Sequence, residues 1–249
     1  MCSMHAAGLR NAALELAARG VNDCEIGRRL GVPRTTVRDW RRPVRPRARE
    51  IEHCWRCWQP TTPLRLAAPD YAELLGLYLG DGHISPFART ERLRIYLDAR
   101  YPTVVDDAHA LLERCFPANR VGRASRDEGS MIILSVYHGH LSCLFPQAGP
   151  GKKHQRLIRL ECWQADLVET VPWRFLRGCI RSDRCVFVNR TGRYEYLGYE
   201  FSNLSREIMD LFIATCASVG LRPRRYRRYA RLYRREDVAR LLAEVGTKS

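Results

Sequence analysis

The sequence predicts an α+β fold built from two similar halves, and three observations support it. Residues 71–80 (YAELLGLYLG) have the apolar content of a buried helix, with no helix breaker before the glycines that follow. Adding 102 to each number carries this segment onto WRFLRGCIRSDR, which starts at Trp173, so that Gly76 corresponds to Gly178. Behind each copy, apolar and polar residues alternate as in a half-buried strand, and an amphipathic helix follows.

Both copies of the helix end in an acid. Gly80-Asp81-Gly82 stops the first helix, and Asp183 follows the second. A helix dipole disfavours an anion at its C-terminus by up to about 1 kcal/mol, so a cation is expected to join each acid. Gly76 and Gly80 lie four residues apart on one face and let a second backbone approach. We expect the two helices to pack and to place the acids side by side; the alternative is two core helices with unrelated aspartates.

The N-terminal residues predict three short helices, over 6–19, 24–30 and 33–41, separated by Gly20 and Gly31. The segment DCEIGRRLGVPRTTVRDWRR resembles the helix-turn-helix of bacterial regulators and recombinases, which assigns a DNA-binding domain to residues 1–42. Its third helix would turn four side chains toward the major groove. These are Arg34, Thr35, Thr36 and Arg38. The alternative is a helical hairpin that packs on the main domain.

Residues 43–70 are predicted to be a basic linker. The segment 41–49 (RRPVRPRAR) holds five arginines and two prolines, which excludes a stable helix and suits contact with a phosphate backbone. Cys54 and Cys57 have the spacing of half a zinc knuckle, so a Zn²⁺ site completed by distant ligands is one hypothesis. The other is a pair of buried or idle thiols.

Two arginine-rich segments predict nucleic-acid surfaces. In the strand 92–98, the side chains of Arg92, Arg94 and Tyr96 face away from the buried Leu93, Ile95 and Leu97. Residues 222–235 contain eight arginines and three tyrosines. If they form a strand or hairpin, one cationic face is expected. It would carry Arg225, Arg227, Tyr229, Arg231 and Tyr233.

Charge and composition narrow the possible partners. Lys and Arg number 42 against 27 Asp and Glu, a net charge of +15, which points to a polyanion. The first ten residues lack the apolar core of a signal peptide, and no apolar run approaches the length of a membrane span. The ten cysteines are therefore expected to be reduced, in a cytoplasmic, nucleoid-associated protein.

The residues LLGLYLGDG (74–82) resemble the signature of LAGLIDADG homing endonucleases, and LRGCIRSDR (176–184) resembles a degenerate second copy. The resemblance covers residues 71–249 and implies a pseudo-two-fold pair of αββαββα halves, 71–153 and 173–249. It implies a monomer whose sheets form a saddle over double-stranded DNA. It also implies that Asp81 and Asp183 bind Mg²⁺ at the scissile phosphates. A basic residue behind the last helix of each half would assist, namely Lys152 or Lys153 and then Lys248.

Two classes of function remain open. The paired acids favour a metal-dependent, site-specific DNA endonuclease. The helix-turn-helix favours a sequence-specific transcriptional regulator that retains the DNA-binding surface without cleavage. Arg184 stands where the signature has glycine and would place a cation beside Asp183, which also favours the regulator. Leu79 and Arg181 occupy the earlier acidic position of the motif, which the chemistry does not require.

Overall fold

The computed structural model describes residues 4–41, 67–87, 90–182, 184–191 and 194–246. The chain divides into two compact units, Met1–Glu50 and Ile51–Ser249. Most of the predicted linker, including Cys54 and Cys57, lies outside the described residues, so the zinc hypothesis stays a prediction.

The N-terminal unit contains the three predicted helices, α1 (Met4–Ala18), α2 (Asp23–Leu30) and α3 (Arg34–Arg41). The side chain of Asn22 accepts a hydrogen bond from the backbone N–H of Glu25 at 3.0 Å and so caps α2. A Cβ atom added at Gly27 would lie 2.7 Å from the carbonyl oxygen of Val32, so the turn into α3 requires a glycine there. This close approach explains why α2 and α3 can cross so tightly.

A small apolar core joins these helices. Ala13, Ile26 and Val37, one from each helix, are fully buried. Gly31 ends α2 with a left-handed φ of +66°, which glycine adopts without strain. The three-helix prediction is confirmed.

The larger unit repeats one order of elements. Its first half consists of α4 (Ala68–Asp81), β1 (Gly82–Phe87), β2 (Thr90–Asp98), α5 (Pro102–Cys115), β3 (Gly122–Arg126), β4 (Met131–His138) and α6 (Leu141–Leu144), and α7 (Cys162–Thr170) links it to the second half. Its second half consists of α8 (Pro172–Ser182), β5 (Arg184–Thr191), β6 (Tyr194–Ser202), α9 (Arg206–Ser218), β7 (Arg224–Arg225), β8 (Tyr229–Leu232) and α10 (Arg235–Val245). The four-stranded sheets are antiparallel, with orders β1-β2-β4-β3 and β5-β6-β8-β7. The predicted α+β class, with paired αββαββα halves behind a small helical unit, is confirmed.

The helix α4 lies at the centre of the larger core. Every residue from Tyr71 to Leu79 is buried. A helix that is covered on all sides needs apolar residues all round, which is why this stretch lacks the usual polar face. In β2, Leu93, Ile95 and Leu97 are buried as the alternation predicts.

Candidate functional site

The helices α4 and α8 pack directly through their glycines. A Cβ atom at Gly76 would lie 2.4 Å from the carbonyl oxygen of Phe175, and one at Gly178 would lie 2.0 Å from that of Glu73. Gly76 and Gly178 are 102 residues apart, and so are Glu73 and Phe175, so the helices are related by a local pseudo-two-fold. The predicted close packing is confirmed.

The two helices run in the same sense. The guanidinium of Arg174, near the start of α8, lies 3.2 Å from the carboxylate of Asp70, near the start of α4. The N-terminal ends therefore lie together, and the C-terminal ends, at Asp81 and Ser182, emerge on the same side of the unit. Asp183 lies outside the described residues, so the meeting of the two carboxylates remains a prediction.

Lys153 occupies the C-terminal end of α4. Its ammonium donates hydrogen bonds to the carbonyl oxygens of Leu79 (2.8 Å) and Gly80 (2.9 Å) and also to that of Tyr78. The last carbonyls of a helix have no partner within the helix, so a lysine satisfies them and complements the dipole. Lys153 therefore places a cation at this helix end, while the binding of a cation by Asp81 itself stays a prediction.

The structure describes one of the two other predicted lysines, Lys152 and Lys248. Lys152 lines the two cavities next to this helix end. Lys248 lies outside the described residues. Of the two lysines on the loop that follows α6, Lys153 is therefore the one shown to bond to α4.

A cavity of about 530 Å³ lies beside this helix end. Its lining comprises Tyr78, Gly82, His83, Ile84, Gly151, Lys152, Lys153, Gln155 and Arg156. Three of these side chains are cationic and none is a carboxylate, so the cavity suits an anion such as a phosphate. Partial burial lowers the pKa of His83, and the positive charges of Arg94, Lys153 and Arg156 lower it further.

Tyr78 and Arg156 are two of the residues that line this cavity. Burial raises the pKa of Tyr78 to about 12, although the charge of Arg156 and its hydrogen bond to the phenol oppose that shift. A Cβ atom at Gly149 would lie 2.4 Å from a guanidinium nitrogen of Arg156, so the end of this side chain passes close to the loop.

A second cavity, of about 430 Å³, is lined by both halves. The first half contributes Leu79, Gly80 and the segment 152–154, and the second half contributes the segment 202–204 and Arg228. This open cleft adjoins the C-terminal end of α4, so a ligand there would contact both halves.

The exposed face of the first sheet carries the predicted arginines. Arg94 donates a hydrogen bond to the hydroxyl of Ser85 at 3.1 Å, and Arg92 donates one to the hydroxyl of Ser135 at 3.2 Å. The guanidinium of Arg92 also lies 5.2 Å from the ring centre of Tyr137, within range of a cation–π contact. Among the described residues, the Nε atoms of Arg92 and Arg94 have no hydrogen-bond partner. Both Nε atoms are buried, so a ligand on this face would meet the ends of the guanidinium groups and not these atoms.

The second sheet differs from the prediction at Arg225. The register of β7 with β8 sets Arg225 opposite the buried Ala230, and its guanidinium pairs with Asp210 of α9 on the helix side of the sheet. The prediction that Arg225 shares a face with Tyr229 and Arg231 is therefore wrong. Arg224, which lies opposite Arg231, takes that place.

Arginine and aromatic side chains form a layer on the other face of this sheet. The guanidinium of Arg231 lies 4.4 Å from the ring centre of Tyr229 and 4.9 Å from that of Phe187, and its Nε donates to Glu200 at 2.6 Å. Arg227 lies in the turn between β7 and β8. The ion pair and the rings hold Arg231 in place.

In the N-terminal unit, the predicted groove-facing residues lie on the surface of α3. Arg34, Thr35 and Arg38 are exposed and Thr36 is half-buried, because Val37 occupies the side that packs on the other helices. The sequence therefore leaves a polar face on α3 that is available to a ligand.

Asp81 is the one predicted metal ligand that lies within the described residues. Within the described ranges, no three His, Cys, Asp or Glu side chains are grouped so as to hold a metal ion. A divalent cation at the end of α4 would need Asp81, Asp183 and oxygens of a bound substrate, and a carboxylate set completed by phosphate is typical of Mg²⁺. No helix in these ranges is long and apolar enough to cross a membrane.

Comparison with known proteins gives matches to both units. A family model described as a homeodomain-like domain matches residues 9–42. No curated protein matches the chain. Among solved structures, the N-terminal LAGLIDADG domain of DUF199/WhiA is 14% identical over 75% of this chain and 87% of that domain, with a TM-score of 0.49.

Two solved homing endonucleases are also similar to the chain. The homing endonuclease I-WcaI bound to its DNA recognition sequence is 13% identical over 80% of this chain and 88% of its own, with a TM-score of 0.49. I-DmoI in complex with DNA and Mn is 11% identical over 72% and 98%, with a TM-score of 0.47. The fold of this chain is itself defined by the element order and by the packing of α4 on α8.

Proposed function

We propose that this chain binds double-stranded DNA at a specific site and cleaves it there with the help of divalent metal. The observation that carries the proposal is the packing of α4 on α8 through Gly76 and Gly178, because it sends the ends of both helices to one side of the unit. Asp81 ends the first helix and Asp183 follows the second, so one carboxylate comes from each half. The net charge of +15 supports a nucleic-acid substrate.

DNA binding would use three surfaces. Arg34, Thr35 and Arg38 on α3 would contact base edges in the major groove, as the second helix of a helix-turn-helix does. Arg92 and Arg94 lie on the open face of the first sheet, and an arginine can bond to a guanine or to a phosphate through two donors. The Arg231 layer would contribute the third surface.

Each group at the helix ends has a distinct task in cleavage. Asp81 and Asp183 would hold Mg²⁺ together with phosphate oxygens of the substrate. When bound, the ion lowers the pKa of water and neutralises charge on the phosphate. Lys153, fixed on the carbonyls of α4, would add positive charge beside the acids, while Lys152 and Lys248 would orient water.

The second candidate is a DNA-binding regulator without cleavage. Arg184 follows Asp183 directly and adds a cation where the signature has glycine. A guanidinium there would compete with a metal ion for the carboxylate. In this alternative the protein would bind DNA through the same surfaces, and Asp81 and Asp183 would have no catalytic role.

The deciding experiment selects bound duplexes from a random DNA pool and then incubates the winning site with Mg²⁺. We expect wild type to cut, and Asp81→Asn and Asp183→Asn to lose cutting while still binding in Ca²⁺. Asp166→Asn, a change to an exposed aspartate on α7, is the matched control and should cut like wild type.

Each remaining outcome has a defined meaning. Tight binding without cutting in Mg²⁺ or Mn²⁺ would refute the endonuclease and leave the regulator. Cutting restored by Arg184→Gly would then identify the residue that silenced the site. Failure to select any duplex would refute both candidates.

A further inference from the structure

One side of the contact between α4 and α8 is ionic. The carboxylate of Glu73 is buried, with the residue 2% exposed, and lies within ion-pair distance of three arginines of α8. The separations are 2.8 Å to Arg174, 3.4 Å to Arg177 and 3.2 Å to Arg181. Arg181 is itself only 9% exposed, and burial lowers its pKa from the usual value, although Glu73 opposes the shift.

Two further acids of the first half extend this cluster. Asp70 of α4 pairs with Arg174 at 3.2 Å, and Asp107 of α5 pairs with Arg181 and, at 3.5 Å, with Arg177. All three acids thus belong to the first half, whereas the three arginines that bind Glu73 belong to the second. The charges of the two halves are complementary.

The other side of the same contact is apolar. The 102-residue relation that superposes Gly76 on Gly178 carries Glu73 onto Phe175. It also carries the three arginines onto residues of α4, which are Ala72, Leu75 and Leu79. These four apolar residues are fully buried. The pseudo-two-fold therefore relates an ionic side to an apolar side, and the halves are not interchangeable at their interface.

From this asymmetry we infer that the ionic cluster selects the partner of each half: the first half pairs with a second half and not with another first half. Two first halves joined through α4 would each set a buried Glu73 against alanine and leucines. Two second halves joined through α8 would set three arginines against a phenylalanine. A buried charge deprived of its partner is strongly destabilising, even where the intact pair adds little stability. The inference holds whether or not the protein cuts DNA.

The test uses the folded full chain with a protease site inserted after Leu157, which is 62% exposed on the loop before α7. The cleaved protein is unfolded in urea and refolded by dilution, and native mass spectrometry counts the pairs. We expect unlike pairs to exceed like pairs by more than about 100-fold, as the cost of an unpaired buried charge implies. Like pairs in comparable number would overturn the inference.

A symmetrised chain is the matched variant. It carries Glu73→Phe, Arg174→Ala, Arg177→Leu and Arg181→Leu, so that both sides of the contact have the same apolar residues. We expect this chain, cleaved and refolded in the same way, to form like pairs readily. If it still formed only unlike pairs, the charges would not decide the pairing and the inference would fail.

Thermal unfolding of the uncleaved chain gives a second measurement, independent of refolding after cleavage. Glu73→Gln leaves three arginines without their buried carboxylate and should lower the melting temperature. Adding Arg181→Leu removes the most buried of these cations and should recover part of that loss. A Glu73→Gln protein that melts at the wild-type temperature would contradict the inference. So would a double variant whose fall in melting temperature equals the sum of the falls caused by the two single changes.

Discussion

Replacing Gly178 by alanine should destabilise the larger unit, although alanine is the better helix former. The new Cβ atom would lie 2.0 Å from the carbonyl oxygen of Glu73, and both atoms belong to helix backbones, so no side chain can move aside. Overpacking costs about 1–3 kcal/mol, and a backbone clash belongs at the upper end. Alanine recovers about 1 kcal/mol of helix propensity. The net loss is about 2 kcal/mol, which corresponds to a fall in melting temperature of about 4–8 °C for a unit of this size.

Thermal unfolding followed by circular dichroism measures this loss. Gly139→Ala is the matched control, because a Cβ atom there meets no atom within 4 Å and its backbone is not left-handed. Gly76→Ala should behave like Gly178→Ala, since its Cβ atom would lie 2.4 Å from the carbonyl oxygen of Phe175. If Gly178→Ala melts as high as Gly139→Ala, the helices do not pack as closely as described.

Three further predictions concern charge. DNA affinity should fall steeply with salt, with log K decreasing by about 0.9 per log unit of salt for each phosphate contacted, and a flat response would exclude a cationic DNA surface. Partial burial and the nearby cations lower the pKa of His83, and phosphates bound beside it should raise that pKa. Binding should therefore take up a proton and tighten as the pH falls through the histidine range; a His83→Gln protein with the same pH profile would refute this. Lys153→Met should lower the free energy of unfolding by about 1–2 kcal/mol through the unpaired carbonyls of α4, and equal loss in Lys152→Met would contradict the assignment.

The features that could be predicted from the sequence depend on local sterics and patterning. Two helices that touch backbone to backbone need glycine at the point of contact, and this requirement is visible in the sequence. The recurrence of such a glycine at Gly76 and Gly178 therefore predicts the two halves. The alternation at Leu93, Ile95 and Leu97 fixed the buried face of β2 in the same way. In both cases the pattern follows from one local physical requirement, so the sequence alone is enough to predict the structure.

The strand β1 could not be predicted because its own residues do not specify it. The segment 82–87 (GHISPF) contains a glycine and a proline and has no regular alternation. It becomes a strand because β2 supplies hydrogen-bond partners along its whole length. The prediction for the face of Arg225 was wrong for a related reason. The backbone N–H of Tyr226 donates to the carbonyl oxygen of Tyr229 at 2.8 Å, and the turn that this bond closes interrupts the alternation between β7 and β8.

The hardest feature to predict was the meaning of Arg181. In the sequence it looks like decay of a motif, since an arginine replaces an acid of the signature. In the structure the same side chain is buried and pairs with Glu73 and Asp107, which lie 108 and 74 residues away. Glu73 alone reads as a stray polar residue inside an apolar helix, and the arginines of α8 read as an ordinary basic face. Complementarity of charge is a property of pairs, so no single segment displays it, and only the packing of α4 on α8 identifies which acid each arginine satisfies.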